Sequence, residues 1–265
     1  MNRETRPDGK VVSVYSPRPR DGNGPVLMSG QTYGQDPRMA TRPNEELLEE
    51  SAFGPLPVVG ADGLRPMEQY ARPWSGARGT RVAIVVGGLG LSQTGSQKAI
   101  RDLPPEVTLG FAASGNSLQR WMQEGRREGH EILLQIPLEP FGYPGTNPGP
   151  DTLLAGDPAK VNIDRLHRSM AKITNYTGIM NYLGGRLLAE QAALAPAMRD
   201  IAQRGLLFLD APSSAQSLSG GIAKAISPPQ RFAAALRLRD VSESALLPQL
   251  GVCARISRRY DQAHR

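Results

Sequence analysis

From Arg81 onward, short apolar runs alternate with longer amphipathic stretches. Val82–Val86 ("VAIVV") is an unbroken run of strand-forming residues that ends at Gly87 and Gly88;. The polar stretch "SQTGSQKAIRDL" follows and predicts a helix with Ser92 as its N-cap;. "VTLGFAA" predicts a second strand. "NSLQRWMQEGRREG" predicts a helix that starts at an Asn116 N-cap and stops at Gly129;. Three more strands are expected at "EILLQI", "GIMNYL" and "GLLFLD", with helices over 159–174 and 189–204 between them. In the first of these helices Val161, Leu166, Met170 and Ile173 are the candidate core positions;. A long Pro/Gly loop, "PLEPFGYPGTNPGPDTLLAGDP", precedes it;.

Alternating apolar strands and helices imply an α/β fold, a parallel sheet covered by helices. The pattern leaves two architectures open, a barrel and an open doubly wound sheet. In both, ligands bind at the C-terminal ends of the strands. Those ends carry Gly87–Gly88, Ala112–Ala113, Pro137–Leu138–Glu139, Asn181–Tyr182 and Asp210. Upstream, residues 1–45 are rich in Pro, Gly, Arg and Asn without periodicity, which reads as a disordered or extended region;. Residues 46–80 are punctuated by proline but carry scattered Val, Leu, Tyr70 and Trp74, so they are expected to pack on the domain surface, with one helical turn at "EELLEE". The β/α domain is placed at 81–240 and a basic tail at 241–265.

Charge changes this picture little. The chain of 265 residues has a formal net charge of +6. Residues 1–80 carry ten basic and ten acidic side chains, residues 81–220 thirteen and twelve, and residues 221–265 eight and three. The excess sits in the tail and not on a folded face, so nucleic acid is not the expected partner. The single Cys253 cannot form an internal disulfide;. No apolar run is long enough for a membrane helix, and no leader-like segment opens the chain, so no membrane anchor is expected within it;.

The strand ends narrow the chemistry. Gly88 and Gly90 match the first two glycines of a dinucleotide fingerprint, but Gln93 takes the place of the third, and the second strand ends without an acidic residue;. A hydrolytic metal site needs about three His, Cys, Asp or Glu ligands. His130 precedes a strand, His167 lies in a helix and His264 in the tail, so packing or surface roles are expected for all three. Glu139 and Asp210 are the acidic residues at strand ends, a candidate acid/base pair or a pair of loop caps;. Ser213 and Ser214 have no histidine placed to activate them;.

The segments "RVAIVVGGLGLSQTGSQKAI", "LPPEVTLGFAASGNSLQRWMQEGRREGHEILLQIPLEPFGYP", "ITNYTGIMNYLGGRL" and "RGLLFLDAPSSAQS" together resemble the divergent polysaccharide deacetylase family, over about Leu56 to Leu218. The resemblance implies a distorted NodB-like (β/α) barrel of mostly parallel strands and a carbohydrate partner, a polysaccharide or a peptidoglycan fragment. It also implies a divalent metal such as zinc, and a periplasmic or membrane-anchored extracytoplasmic place. In many members the positions of Gly87 and Gly88 hold an Asp-Asp pair, and those of Gln135 and Tyr182 often hold His. This chain has Gly, Gly, Gln and Tyr instead, which supply no ordinary metal ligands, so no bound metal is expected;. Glu139, Asn181, Arg186 and Asp210 match the family pattern. Gly87, Gly88, Asn181, Tyr182 and Arg186 are therefore expected to contact a glycan or a protein partner in place of metal-dependent catalysis, with Phe141 and Tyr143 as aromatics that could stack on sugar rings. The alternative is an active deacetylase or hydrolase using Glu139 and Asp210. Beyond "FLDAPSS" the family barrel requires further strand–helix units. Here "QRFAAALRL" offers one more strand and "SESALLPQL" a short helix, which predicts a barrel left incomplete by truncation or a shifted reading frame, with an exposed sheet edge;.

Overall fold

The computed structural model describes residues 34–73, 83–211 and 214–226 in full, together with the backbone of strands at 2–5, 11–14, 235–237 and 255–257. The first two strands, β1 (Asn2–Thr5) and β2 (Val11–Val14), pair antiparallel within a separate unit, Met1–Thr32. The remainder forms the second unit.

Five parallel strands make the curled centre of this second unit: β5 (Ala83–Leu89), β6 (Thr108–Ala112), β7 (Ile132–Leu138), β8 (Gly178–Leu183) and β9 (Leu207–Asp210). They lie side by side in chain order, each parallel strand joined to the next through a helical crossover;. The crossovers are α2 (Gln93–Asp102), α3 (Leu118–Arg127), α4 (Ala159–Met170) and α5 (Gln191–Gln203), and α6 (Ser219–Ile226) follows β9. One face of the sheet packs Leu109, Phe111, Leu134, Ile136, Ile179 and Phe208 against Trp121, Met122, Leu166, Met170, Leu194 and Ile201 in a continuous core.

All five predicted strands are present, and their helices lie where the periodicity places them. Ser92 caps α2 by accepting the Gly95 N–H at 3.1 Å, and Gly129 follows α3 at φ +88°;. Three local expectations change. The cap of α3 is Ser117 in the left-handed region (φ 55°), not Asn116, whose own N–H is taken by the Gly90 carbonyl. Val161 is exposed, one turn before the buried side of α4, while Leu166, Met170 and Ile173 are in the core. Finally, β5 does not stop at the glycine pair. It runs on to Leu89 through a register shift against β6 between Val86 and Leu89;.

The sheet is open, with β10 (Ala235–Arg237) parallel to β9 at one end and β11 (Arg255–Ser257) antiparallel to β5 at the other. The first is the further strand expected in "QRFAAALRL". The second was not expected, because an edge pairing needs backbone groups but no apolar period. The β5 edge is therefore paired, and the incomplete barrel ends in two strands of three residues each. The expected short helix at "SESALLPQL" lies outside the described residues, as do Trp74, Ser213, Cys253 and His264.

Residues 34–73 close the N-terminal ends of the strands. "EELLEE" forms a 3-10 turn at Glu45–Leu47 and then β3 (Leu48–Ser51), which pairs antiparallel with β4 (Gly54–Pro57). A single turn, α1 (Pro66–Gln69), follows. Leu47, Leu56 and Tyr70 are buried. The Asn175 amide donates to the carbonyls of Ala40 and Arg42, Arg126 donates to the Tyr70 carbonyl, and the Arg72 N–H donates to Glu131. Asn175 and Glu131 precede β8 and β7, so this segment holds the end of the sheet opposite the candidate site.

Candidate functional site

The face of the sheet turned away from the helices is built in layers. Gly110, Leu133, Gly178 and Leu207 lie in register, and Ala112, Gln135, Met180 and Leu209 form the next layer toward the strands' C-terminal ends. Val85, Leu133, Met180 and Leu209 form a small apolar cluster there. Pro137 and Tyr182 pair one layer above, and Tyr182 is 44% exposed.

The glycine pair sits at the edge of this surface. A Cβ on Gly87 would meet the Gln135 amide at 3.2–3.3 Å and Met180 Cε at 3.3 Å. Gly88 has φ +78°, and a Cβ there would meet nothing within 4 Å. Its N–H donates to Gln135 Oε1 at 2.9 Å. The bulge in β5 turns this N–H across toward β7, and the glycines give the amide room to lie close to the chain. Gln135 is itself 8% exposed. A polar residue in the otherwise apolar run "EILLQI", on the alternate face from Leu134 and Ile136, is the sequence signal that marks Gln135 as a contact position in its own right.

The carboxylates at the strand ends hold loops. Glu139 Oε1 accepts from Arg186 at 2.8 Å and Oε2 from the Ala155 N–H at 2.5 Å, while the Glu139 carbonyl accepts the N–H groups of Arg186 and Leu187. Asp210 Oδ2 accepts from Ser217 at 2.7 Å and Ser219 at 2.5 Å, just before and at the start of α6. Both carboxylates are buried, Glu139 against the loop at 155 and Arg186, and Asp210 against Ser217 and Ser219. Asn181 faces the helices and not the layered surface. Its amide bonds the Leu183 and Ala211 carbonyls at 2.7 and 2.9 Å and the Ala211 N–H at 2.7 Å, stitching β8 to β9. Arg186 keeps half its side chain exposed, and Phe141 is exposed on the loop after β7, with Tyr143 half-buried beside it. Ser214 accepts the Gln216 N–H in a local turn.

The two described histidines are engaged elsewhere. His130 is buried with its ring nitrogens 2.8 and 3.1 Å from the Val107 and Ile100 carbonyls, and His167 pairs with Asp200 between α4 and α5. Among the described residues no group of three or more His, Cys, Asp or Glu could hold a metal ion. The positions where the resemblance implies metal ligands offer two glycines without side chains, an amide oxygen bonded to the Gly88 N–H, and a phenol. This donor set does not fit zinc or a similar divalent ion. No helix among the described residues is long and apolar enough to cross a membrane.

Comparison with known proteins agrees with the fold. The chain is 88% identical to an uncharacterized protein from Agrobacterium tumefaciens C58 of known crystal structure, with a TM-score of 0.65 over 69% of this chain and 72% of that one. It is 25% identical over 145 residues to an uncharacterized Haemophilus influenzae protein, covering 55% of this chain. The chain spans about half (51%) of the length of that curated relative. The family model for divergent polysaccharide deacetylases matches residues 84–263, from the start of β5 to beyond β11. The chain thus belongs to the divergent polysaccharide deacetylase family.

Proposed function

We propose that this carbohydrate deacetylase-like protein binds a glycan at the C-terminal ends of its strands and does not carry out metal-dependent deacetylation. The observation that carries the reading is the union of Gly87, Gly88 and Gln135. Where the family places carboxylates and an imidazole, this chain has a bare backbone bonded to an amide. None of these groups serves as a proton-transfer base near neutral pH. The contact set is Gly87, Gly88, Tyr182 and Arg186, with Phe141 on the rim. An exposed aromatic ring offers a flat apolar face to a sugar, and Arg186 offers donors from its exposed half. Asn181 supports Tyr182 by holding its strand. Glu139 and Asp210 serve as loop anchors, because shuttling a proton would mean giving up the contacts that order 153–155, 186–187 and 217–219.

The test is made on one purified sample. Acetate release is followed from acetylated chitooligosaccharide and from peptidoglycan fragments, with zinc, cobalt or nickel supplied, and binding of the same sugars is measured by calorimetry. Binding without acetate release and without stoichiometric retained metal is the expected result. Chelator-sensitive acetate release would overturn the proposal.

A further inference from the structure

His130 lies between Gly129, the stop of α3, and the start of β7, and is 1% exposed. Its ring reaches two backbone carbonyls on other elements. Nδ1 lies 2.8 Å from the carbonyl of Val107, just before β6, and Nε2 lies 3.1 Å from that of Ile100, near the end of α2. Both partners can only accept. A neutral imidazole has one N–H and one bare nitrogen, so it satisfies one carbonyl and turns a lone pair toward the other. The imidazolium donates to both. Ile100 and Val107 are buried, and a helix carbonyl at position 100 would ordinarily take the N–H four residues on;. That position is Pro104, which has none;. The C-terminal end of a helix also carries partial negative charge, which favours a cation there.

We propose that His130 is a proton-sensitive clasp: its imidazolium ties the end of α2 to the start of β6, and loss of one ring proton releases the end of α2. Nδ1 keeps the shorter bond to Val107, and the Ile100 side opens. The charged groups on the elements around the ring set its balance. Arg126 on α3 donates to the His130 backbone carbonyl at 3.4 Å and opposes a second positive charge, whereas Glu131, next in the chain, supports it;. Arg101 and Asp102 at the end of α2, Glu106 before β6, and Arg127 and Glu128 at the end of α3 are exposed, with Arg101 paired to Asp102 and Glu106 to Arg72. Among the described residues the ring's partners are the two carbonyls, so these and the helix end hold the proton. The folded chain favours the doubly protonated ring. Stability from this contact is therefore present in acid and is lost as pH rises through the ring's titration. The other end of α2 follows Ser92, where Ser96 takes the Gly90 N–H at 2.8 Å, so the clasp acts on the helix that carries the loop after the glycine pair.

The test uses the full chain labelled with nitrogen-15. Long-range proton–nitrogen correlation reads the state of each histidine ring, with His130 identified by resonance assignment. At pH 5.5 both of its ring nitrogens are expected to carry protons, and by pH 8.5 Nε2 should be bare. Hydrogen exchange on the same sample reads the consequence. The Leu103 N–H closes the last turn of α2 on the Ala99 carbonyl, and the Leu194 N–H does the same for the first turn of α5 on Glu190. After correction for intrinsic exchange, protection of Leu103 should fall about tenfold relative to Leu194 across that pH range, the loss of one buried hydrogen bond. His130→Gln offers one donor without a titration, so its Leu103 protection should be lower in acid than that of wild type and the same at both pH values. A bare ring nitrogen at pH 5.5 overturns the proposal, as does a ring still doubly protonated at pH 8.5. So does a Leu103 to Leu194 ratio that stays constant in the wild type, or one that still changes in His130→Gln. If the variant does not fold, the ring spectrum and the exchange ratio of the wild type decide.

Discussion

At the scale of single residues, Gly88 and Gly90, two positions apart, have different duties. Gly90 has φ +90°, and a Cβ there would come within 2.4 Å of Leu118 Cδ2, where the loop after β5 crosses the start of α3. Gly88 shares the left-handed backbone but faces open space. Gly90→Ala is expected to cost about 2–4 kcal/mol, the left-handed penalty plus overpacking. Gly88→Ala should cost only the backbone penalty, about 1–2 kcal/mol. Urea unfolding of the two variants measures the difference, and equal losses would contradict it. Gly90 thus belongs to the packing of the fold, whereas at Gly88 only the backbone conformation asks for glycine.

At the scale of elements, α4 shows how a helix is held. Leu166 lies in the core, whereas Val161 faces solvent. Leu166→Ala should lose about 2–5 kcal/mol, and Val161→Ala should stay within about 0.5 kcal/mol. The start of β7 carries a second, pH-dependent feature. Desolvation pushes the Glu131 carboxyl above the usual carboxylate range, opposed by the Arg72 N–H and by the charges of Arg126 and Arg72. The folded state therefore holds this proton more tightly than the unfolded chain does. Stability from this group is highest below its ordinary value of 4.5 and is lost as pH rises through the higher folded value;. Gln keeps the acceptor for Arg72 without the charge. Denaturation midpoints against pH should show Glu131→Gln gaining on wild type as pH rises from 4 to 7. A constant difference across that range would refute this account.

At the scale of the whole molecule, the two ends of the sheet are treated differently. Residues 34–73 cover the N-terminal ends, and the C-terminal ends are left to Gly87, Gly88, Gln135 and Tyr182. The sides of the sheet finish in strands of three residues, β10 and β11, which is how open sheets limit pairing with other chains;. Removing residues 251–265 deletes β11 and bares the edge of β5. That variant should self-associate in analytical ultracentrifugation at concentrations where the full chain does not, and unchanged sedimentation would show that β11 protects nothing.

Much of this protein was legible along the chain. Five apolar runs, their intervening helices, the Ser92 cap, the Gly129 stop and the family likeness follow from neighbours a few residues apart, and the parallel direction of the strands follows from the alternation itself; their side-by-side order does not. The layered surface was not legible, because it depends on which way a strand turns its side chains. The bulge after Val86 lets β5 continue through the glycines, and that local change of register has no periodic signature. Asn181 and Tyr182 are adjacent in sequence, yet strand alternation sends the first into the core and the second to the rim. Glu139 and Asp210 read along the chain as an acid/base pair or as loop caps, and the contacts they make to the loops around them appear only in the folded protein. The sequence by itself determined the elements, their order along the chain and that Gly87, Gly88, Gln135 and Tyr182 carry no carboxylate or imidazole, since these are properties of residue type and spacing. Only the tertiary structure decided that Gln135 reaches 47 positions back to accept the Gly88 N–H, because a hydrogen bond between distant strands exists only once the sheet brings them together.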